Sequence, residues 1–160
     1  MPTLVLVRHA QAAYSYPDHS RPLTDAGLDQ AARLGGAVAR DVGGFDVAVC
    51  SDATRARETF GQISQRVRVR DGWFDRSVYN ADEEDILTLA RTFEGERALI
   101  VGHEPTMSGV GYVLAREDSR GEVARGIPTA TALILSFDGA WEDLSPGSAA
   151  LRLILTPPTR

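Results

Sequence analysis

The chain contains no lysine, and arginine supplies all 17 of its basic residues. Every fixed cation it can offer a ligand is therefore a planar guanidinium, which stays charged at any working pH and grips phosphate through paired N–H bonds. It has a single cysteine, Cys50, which excludes an intramolecular disulfide and a thiolate metal cluster. The three histidines, His9, His19 and His103, are dispersed without ligand spacing, so no metal is expected. No glycine-rich nucleotide loop occurs, and no cofactor is expected. No segment approaches the ~20 apolar residues of a membrane span. Met1-Pro2-Thr3 leads straight into an apolar run that meets Arg8-His9, whereas a secretory signal has a basic start and a longer apolar core. A cytoplasmic protein is the expectation. The net charge of -5 disfavours nucleic acid and acidic membranes as partners.

What is present suits an ordinary globular protein. At 160 residues, 43% of them hydrophobic and 24% charged, the chain can enclose a real core, and one domain over 1–160 is expected. Leu4-Val5-Leu6-Val7 reads as a buried strand. A polar loop over 11–22 follows, and Thr24 stands where a helix N-cap belongs, before Leu28, Ala31, Leu34 and Val38 at helical spacing. Gly43-Gly44 closes that unit. A second strand is read at 47–50 and a helix over 53–65. Val67 and Val69 alternate with arginines as a half-exposed strand would. A third helix is read over 82–93, a core strand at 98–101, a helix from Pro105 to about 115, and strands at 132–137 and 151–155. Strand and helix alternate. The expected fold is a three-layer α/β/α domain with a mainly parallel open sheet, helices on both faces and one antiparallel edge strand.

In such sheets ligands bind beyond the carboxyl ends of the strands. Here the first strand ends in Arg8-His9, the second in Ser51 with Arg55 one turn onward, and the fourth in Gly102-His103. Parallel strands would bring two imidazoles and two guanidiniums to one edge. That set suits phosphoryl chemistry: guanidiniums hold phosphate oxygens, and a neutral imidazole nitrogen can attack phosphorus to give a covalent phosphohistidine.

At these residues a family resemblance emerges. Leu6-Val7-Arg8-His9-Ala10 is similar to the Arg-His-Gly signature of the histidine phosphatase, or phosphoglycerate mutase-like, superfamily. Arg21-Pro22-Leu23-Thr24-Asp25-Ala26-Gly27 resembles its "PLT..G" segment, and residues 51–59 its "SP..RA.QT" segment. Val101-Gly102-His103-Glu104-Pro105 resembles "VGHNP", and Ile127-Pro128-Thr129-Ala130 a later "PTG" turn. The matches run in order from residue 4 to about 137. The resemblance implies a phosphatase in which His9 is the phosphorylated nucleophile, while Arg8, Arg55 and His103 cradle the phosphoryl group, with Arg21 as an addition from the entrance loop. Only 48 positions separate Arg55 from His103, too few for the helical insertion of the mutases. The compact form resembles the SixA-type phosphohistidine phosphatases, which implies a phosphohistidine-bearing protein as substrate. Small phosphate esters are the alternative, as is a catalytically weak module that only binds phosphorylated partners.

The departures from the pattern carry that last alternative. Ala10 replaces the usual glycine, so the turn must tolerate a Cβ. Asp52 and Glu104 bring negative charge beside Ser51 and His103. No leaving-group acid matches a family motif; Glu83, in the acidic run 82–85, and Asp18 are the candidates. That run also reads simply as a favourable helix start. His19 reads as an exposed loop residue, and Arg57, Arg66, Arg68 and Arg70 as solvated. Cys50 does not fit a cysteine-dependent phosphatase loop, because position 56, six beyond it, is Ala56; it reads as a small buried residue.

Overall fold

The computed structural model describes residues 1–158. Six strands, β1 (Thr3–Arg8), β2 (Phe45–Ser51), β3 (Val69–Asp75), β4 (Arg97–Gly102), β5 (Ala132–Ser136) and β6 (Ala150–Ile154), form one sheet in the order β3-β2-β4-β1-β5-β6. The first four in that order are mutually parallel. β5 runs antiparallel to both β1 and β6, so the antiparallel strand lies one place in from the edge rather than on it.

Five helices cover the sheet: α1 (Asp25–Asp41), α2 (Thr54–Ser64), α3 (Arg76–Tyr79), α4 (Glu83–Ala90) and α5 (Thr106–Leu114). Strand side chains alternate between faces, and that sorts the core into two. Val5, Val7, Ala48, Cys50, Leu99 and Val101 face Ala31, Leu34 and Val38 of α1 and Ala56 and Ile63 of α2. Leu4, Leu6, Val49 and Ile100 face Ile86 and Leu87 of α4 and Met107 and Val110 of α5. Leu99, Ile100 and Val101 in the middle strand have no exposed surface. An apolar run buried on both faces is what a central parallel strand requires.

Local signals set the helix starts. Thr24 Oγ1 accepts Gly27 N–H at 2.9 Å as the N-cap of α1. Asp82 and Asp85 exchange side-chain and backbone bonds in a capping box opening α4, so two of the four acids in the run are spent on helix initiation. β3 covers 69–75 rather than the expected 67–69. Arg70 and Asp71 break the apolar pattern beyond Val69, yet as an outer edge strand β3 can expose charge, and charge protects such an edge from aggregation. Among the described residues no helix is long and apolar enough to cross a membrane.

Candidate active site

The sheet order places β4 between β1 and β2, so three carboxyl ends stand side by side. Arg8 is level with Gly102, and Cys50 with Val101, which puts His9, His103 and Ser51 on one ledge. The His9 and His103 rings lie 5.4 Å apart between centroids. Arg55, in the first turn of α2, is 6% exposed and reaches over the ledge, its Nε donating to His9 Nε2 at 3.3 Å. Four of the five expected site residues, His9, His103, Arg8 and Arg55, are thus brought together. The fifth, Arg21, donates to the Ala13 carbonyl and to Asp18 and stacks near Tyr14; it meets the cluster only through Asp18.

His9 is held by the backbone. Its Nδ1 lies 2.7 Å from the Ala10 carbonyl, which can only accept, so Nδ1 carries the proton and Nε2 presents a lone pair. Ala10 is itself fixed: its N–H donates to Thr59 Oγ1 at 3.0 Å, and that hydroxyl donates to the Arg55 carbonyl at 2.8 Å. One buried threonine therefore ties the His9 turn to the arginine helix. Ala10 is fully buried, and its φ is not in the left-handed region, so a Cβ is accommodated here. Ala130, standing for the glycine of the later turn, does take a left-handed φ of 51°. Its N–H is held by the Arg8 and His9 carbonyls, at 3.1 and 3.0 Å.

The electrostatics keep both imidazoles neutral. Burial, joined by the charges of His103, Arg55 and Arg8, pushes the pKa of His9 down to about 3, although the Ala10 bond opposes this. Burial first, then Arg55, pushes His103 down to about 4. His103 Nε2 lies 2.7 Å from Ser51 Oγ, which already accepts the Ala53 N–H. Burial also lowers Arg8, partly offset by Glu104. Arg8 Nη1 donates to the Ile127 carbonyl at 2.8 Å. Arg8 Nε and His103 Nδ1 are buried without a partner.

The two acidic departures are each bonded to other partners. Glu104 accepts from Ser108 N–H and Oγ, each at 2.7 Å, and from Ile127 N–H at 3.1 Å. It thereby fixes the segment whose carbonyl holds Arg8. Asp52 Oδ1 takes His19 Nε2 at 2.7 Å. His19, expected to be exposed, is instead shielded by that bond and by Tyr79, whose ring meets it edge-on at 4.9 Å. Asp18 occupies Arg55: its carbonyl accepts Nη1 at 2.8 Å and its carboxylate accepts Nη2 at 3.1 Å and the Tyr79 hydroxyl at 2.6 Å. The Tyr79 bond, with Arg21 and Arg55, holds the Asp18 carboxyl well below the usual range, so it is ionised. Glu83 is packed on Gly109 of α5. Tyr79 gave no sign in sequence, because a four-residue helix has no periodicity to read. Cys50 is buried, and burial pushes its thiol up.

A neutral imidazole with an oriented lone pair, flanked by two guanidiniums at the carboxyl edge of a parallel sheet, is an arrangement suited to phosphoryl transfer. The chain belongs to the histidine phosphatase superfamily, branch 1, whose pattern matches residues 4–84, and it is a phosphatase by class. An uncharacterised protein of Mycobacterium tuberculosis is 32% identical over 154 residues, spanning 91% of this chain and 96% of that protein. Two solved structures, both provisionally described as the phosphohistidine phosphatase SixA, are similar throughout. The one from Nakamurella multipartitia has a TM-score of 0.84 and 31% identity over 99% of this chain and 97% of its own. The one from Agrobacterium tumefaciens has a TM-score of 0.78 and 29% identity over 86% and 93%.

Proposed function

We propose that this phosphatase removes the phosphoryl group from a phosphohistidine-bearing protein through a covalent phosphohistidine on His9. The observation that carries the reading is the fixed tautomer of His9, with Nδ1–H on the Ala10 carbonyl and Nε2 unprotonated beneath Arg55. Nε2 attacks phosphorus in line, the N–P bond of the substrate breaks, and the leaving imidazole keeps its own ring proton. Arg8, Arg55 and His103 hold the three phosphoryl oxygens, where charge develops. Water then attacks the phosphorus of phospho-His9, and the bonding pair returns to Nε2.

Two buried polar atoms support this assignment. Arg8 Nε and His103 Nδ1 have no protein partner, and a buried donor left unpaired costs about 1–3 kcal/mol. If the Ser51 hydroxyl hydrogen sits on His103 Nε2, a neutral His103 carries its proton on Nδ1 and can donate it to a phosphoryl oxygen. Arg55 exchanges one anion for another, releasing the Asp18 carboxylate as phosphate enters. Glu104 and Asp52 are each taken up by donors of their own, Ser108 with Ile127 and His19 respectively, which weighs against the binding-only module. A groove of ≈ 830 Å³ begins at Glu104 and runs along α5 past Tyr112 to Arg125, giving a protein substrate room beside the site.

The test is a phosphohistidine protein labelled with radioactive phosphate, incubated with the unmodified chain and with His9→Ala. The unmodified chain should give an acid-labile, base-stable phosphoenzyme and release phosphate, and His9→Ala should do neither. Equal turnover by the variant would sink the nucleophile assignment. Binding without turnover by the unmodified chain would restore the module reading.

A further inference from the structure

His19 and Asp52 come from separate segments, a 3₁₀ turn (Asp18–Ser20) and the end of β2, yet meet at 2.7 Å. An isolated surface pair of this kind would need no purpose. This one is only 30% and 21% exposed, and the charge of His19 is felt at His103. The His19 ring is edge-on to Tyr79, and Tyr79 is edge-on to His103 at 5.4 Å. The carbonyl just before His19, that of Asp18, accepts Arg55 Nη1, and Arg55 in turn reaches His9 Nε2. A single residue, Arg55, bridges the His19 segment and the nucleophile.

The site otherwise lacks an acid. Asp18 is held ionised first of all by Tyr79 and by Arg21, bonds that do not depend on Arg55, and Glu83 is packed on Gly109 of α5. A carboxylate bonded to one imidazole nitrogen orients the ring and leaves the other nitrogen free to exchange a proton. We infer that His19, oriented by Asp52, is the general acid that protonates the leaving group, so that the enzyme also hydrolyses alkyl phosphate esters. The inference rests on His9 as nucleophile.

The step balances. His9 Nε2 forms the N–P bond as the P–O bond of the ester breaks, and the departing oxygen takes the Nδ1 proton of protonated His19. In the second step neutral His19 takes a proton from water as its oxygen attacks phosphorus. The N–P pair returns to His9, phosphate leaves, and His19 is again protonated.

An aryl oxide such as 4-nitrophenolate leaves without a proton, whereas an alkoxide does not. The experiment compares kcat/KM for 4-nitrophenyl phosphate and glycerol 2-phosphate in the unmodified chain, His19→Gln and Asp52→Asn, with melting curves recorded for each. His19→Gln should lose about 100-fold or more on the alkyl ester and less than about 5-fold on the aryl ester. Asp52→Asn, which keeps the ring but removes its carboxylate, should lose about 10-fold on the alkyl ester alone. Equal losses on both esters would reduce the pair to a structural contact, and no loss on the alkyl ester would overturn the proposal outright. So would an unmodified chain that turns over the aryl ester and not the alkyl one. Trapping phospho-His9 in the same samples separates the outcomes: if it forms and the leaving group makes no difference, only the acid is wrong.

Discussion

Lowering the pH from 7 to 5 should weaken this fold, and its two buried site imidazoles set the amount. His9 titrates near 3 and His103 near 4 in the folded chain, against about 6.5 when unfolded. The unfolded state then binds more protons, so stability is complete above about 6.5 and falls as pH drops toward the folded values. At pH 5 each unfolded imidazole gains about 2 kcal/mol from a proton its folded counterpart refuses, compared with about 0.2 kcal/mol at pH 7. That figure hardly depends on how far the folded pKa is depressed, provided it lies below about 4.5. Together the two residues should cost roughly 3.5 kcal/mol across the interval, out of a typical total of about 5–15. The lowered carboxylates of Asp18, Asp46 and Asp75 do not enter: their contribution is lost only as pH falls below the ordinary value of 3.8. Urea unfolding at both pH values reads the effect directly. His9→Asn and His103→Asn should each recover about half of the acid-induced loss, and the double variant most of it. Parallel pH dependences in the unmodified chain and the double variant would refute the reasoning.

Three further outcomes are expected. Thr59→Val keeps the shape but strips the Ala10 N–H of its acceptor; it should cost about 1–3 kcal/mol in urea unfolding and lower kcat more than it raises KM. Glu104→Ala frees the Ile127 segment that holds Arg8, so inhibition by inorganic phosphate should weaken about 10-fold, with Tm also reduced. Gly27→Ala would drive a Cβ into the Gln11 carbonyl oxygen, a backbone atom that cannot swing aside; more than about 3 kcal/mol should be lost, seen as a collapse of soluble yield or Tm.

The strands that matter most were the easiest to read in the sequence. Leu4–Val7 and Ala98–Val101 are uninterrupted apolar runs because both their faces are covered, and each ends in the polar residues of the ledge. Thr24 and the 82–85 run announced helix starts through side-chain chemistry alone. The site was half legible. His9, Arg8, Arg55 and His103 follow from strand ends, but what orients them does not: the Ala10 and Ile127 carbonyls carry no sequence identity, and Thr59 is one more threonine on a helix. Asp52 and Glu104 read as misplaced charges because their partners, His19 and Ser108 with Ile127, become neighbours only through loop geometry. Tyr79 and the outer half of β3 are exposed and locally patternless, and hydrophobic periodicity cannot register such segments.

The sealed state of Cys50 bears on how this phosphatase meets oxidants. Its thiol is fully buried and bonded to the Ser51 carbonyl at 3.2 Å, and burial keeps it from ionising. Peroxide attacks thiolates that solvent can reach. An enzyme whose only thiol is capped in this way, and whose proposed nucleophile is an imidazole nitrogen, should keep working through a peroxide burst that silences cysteine-dependent phosphatases.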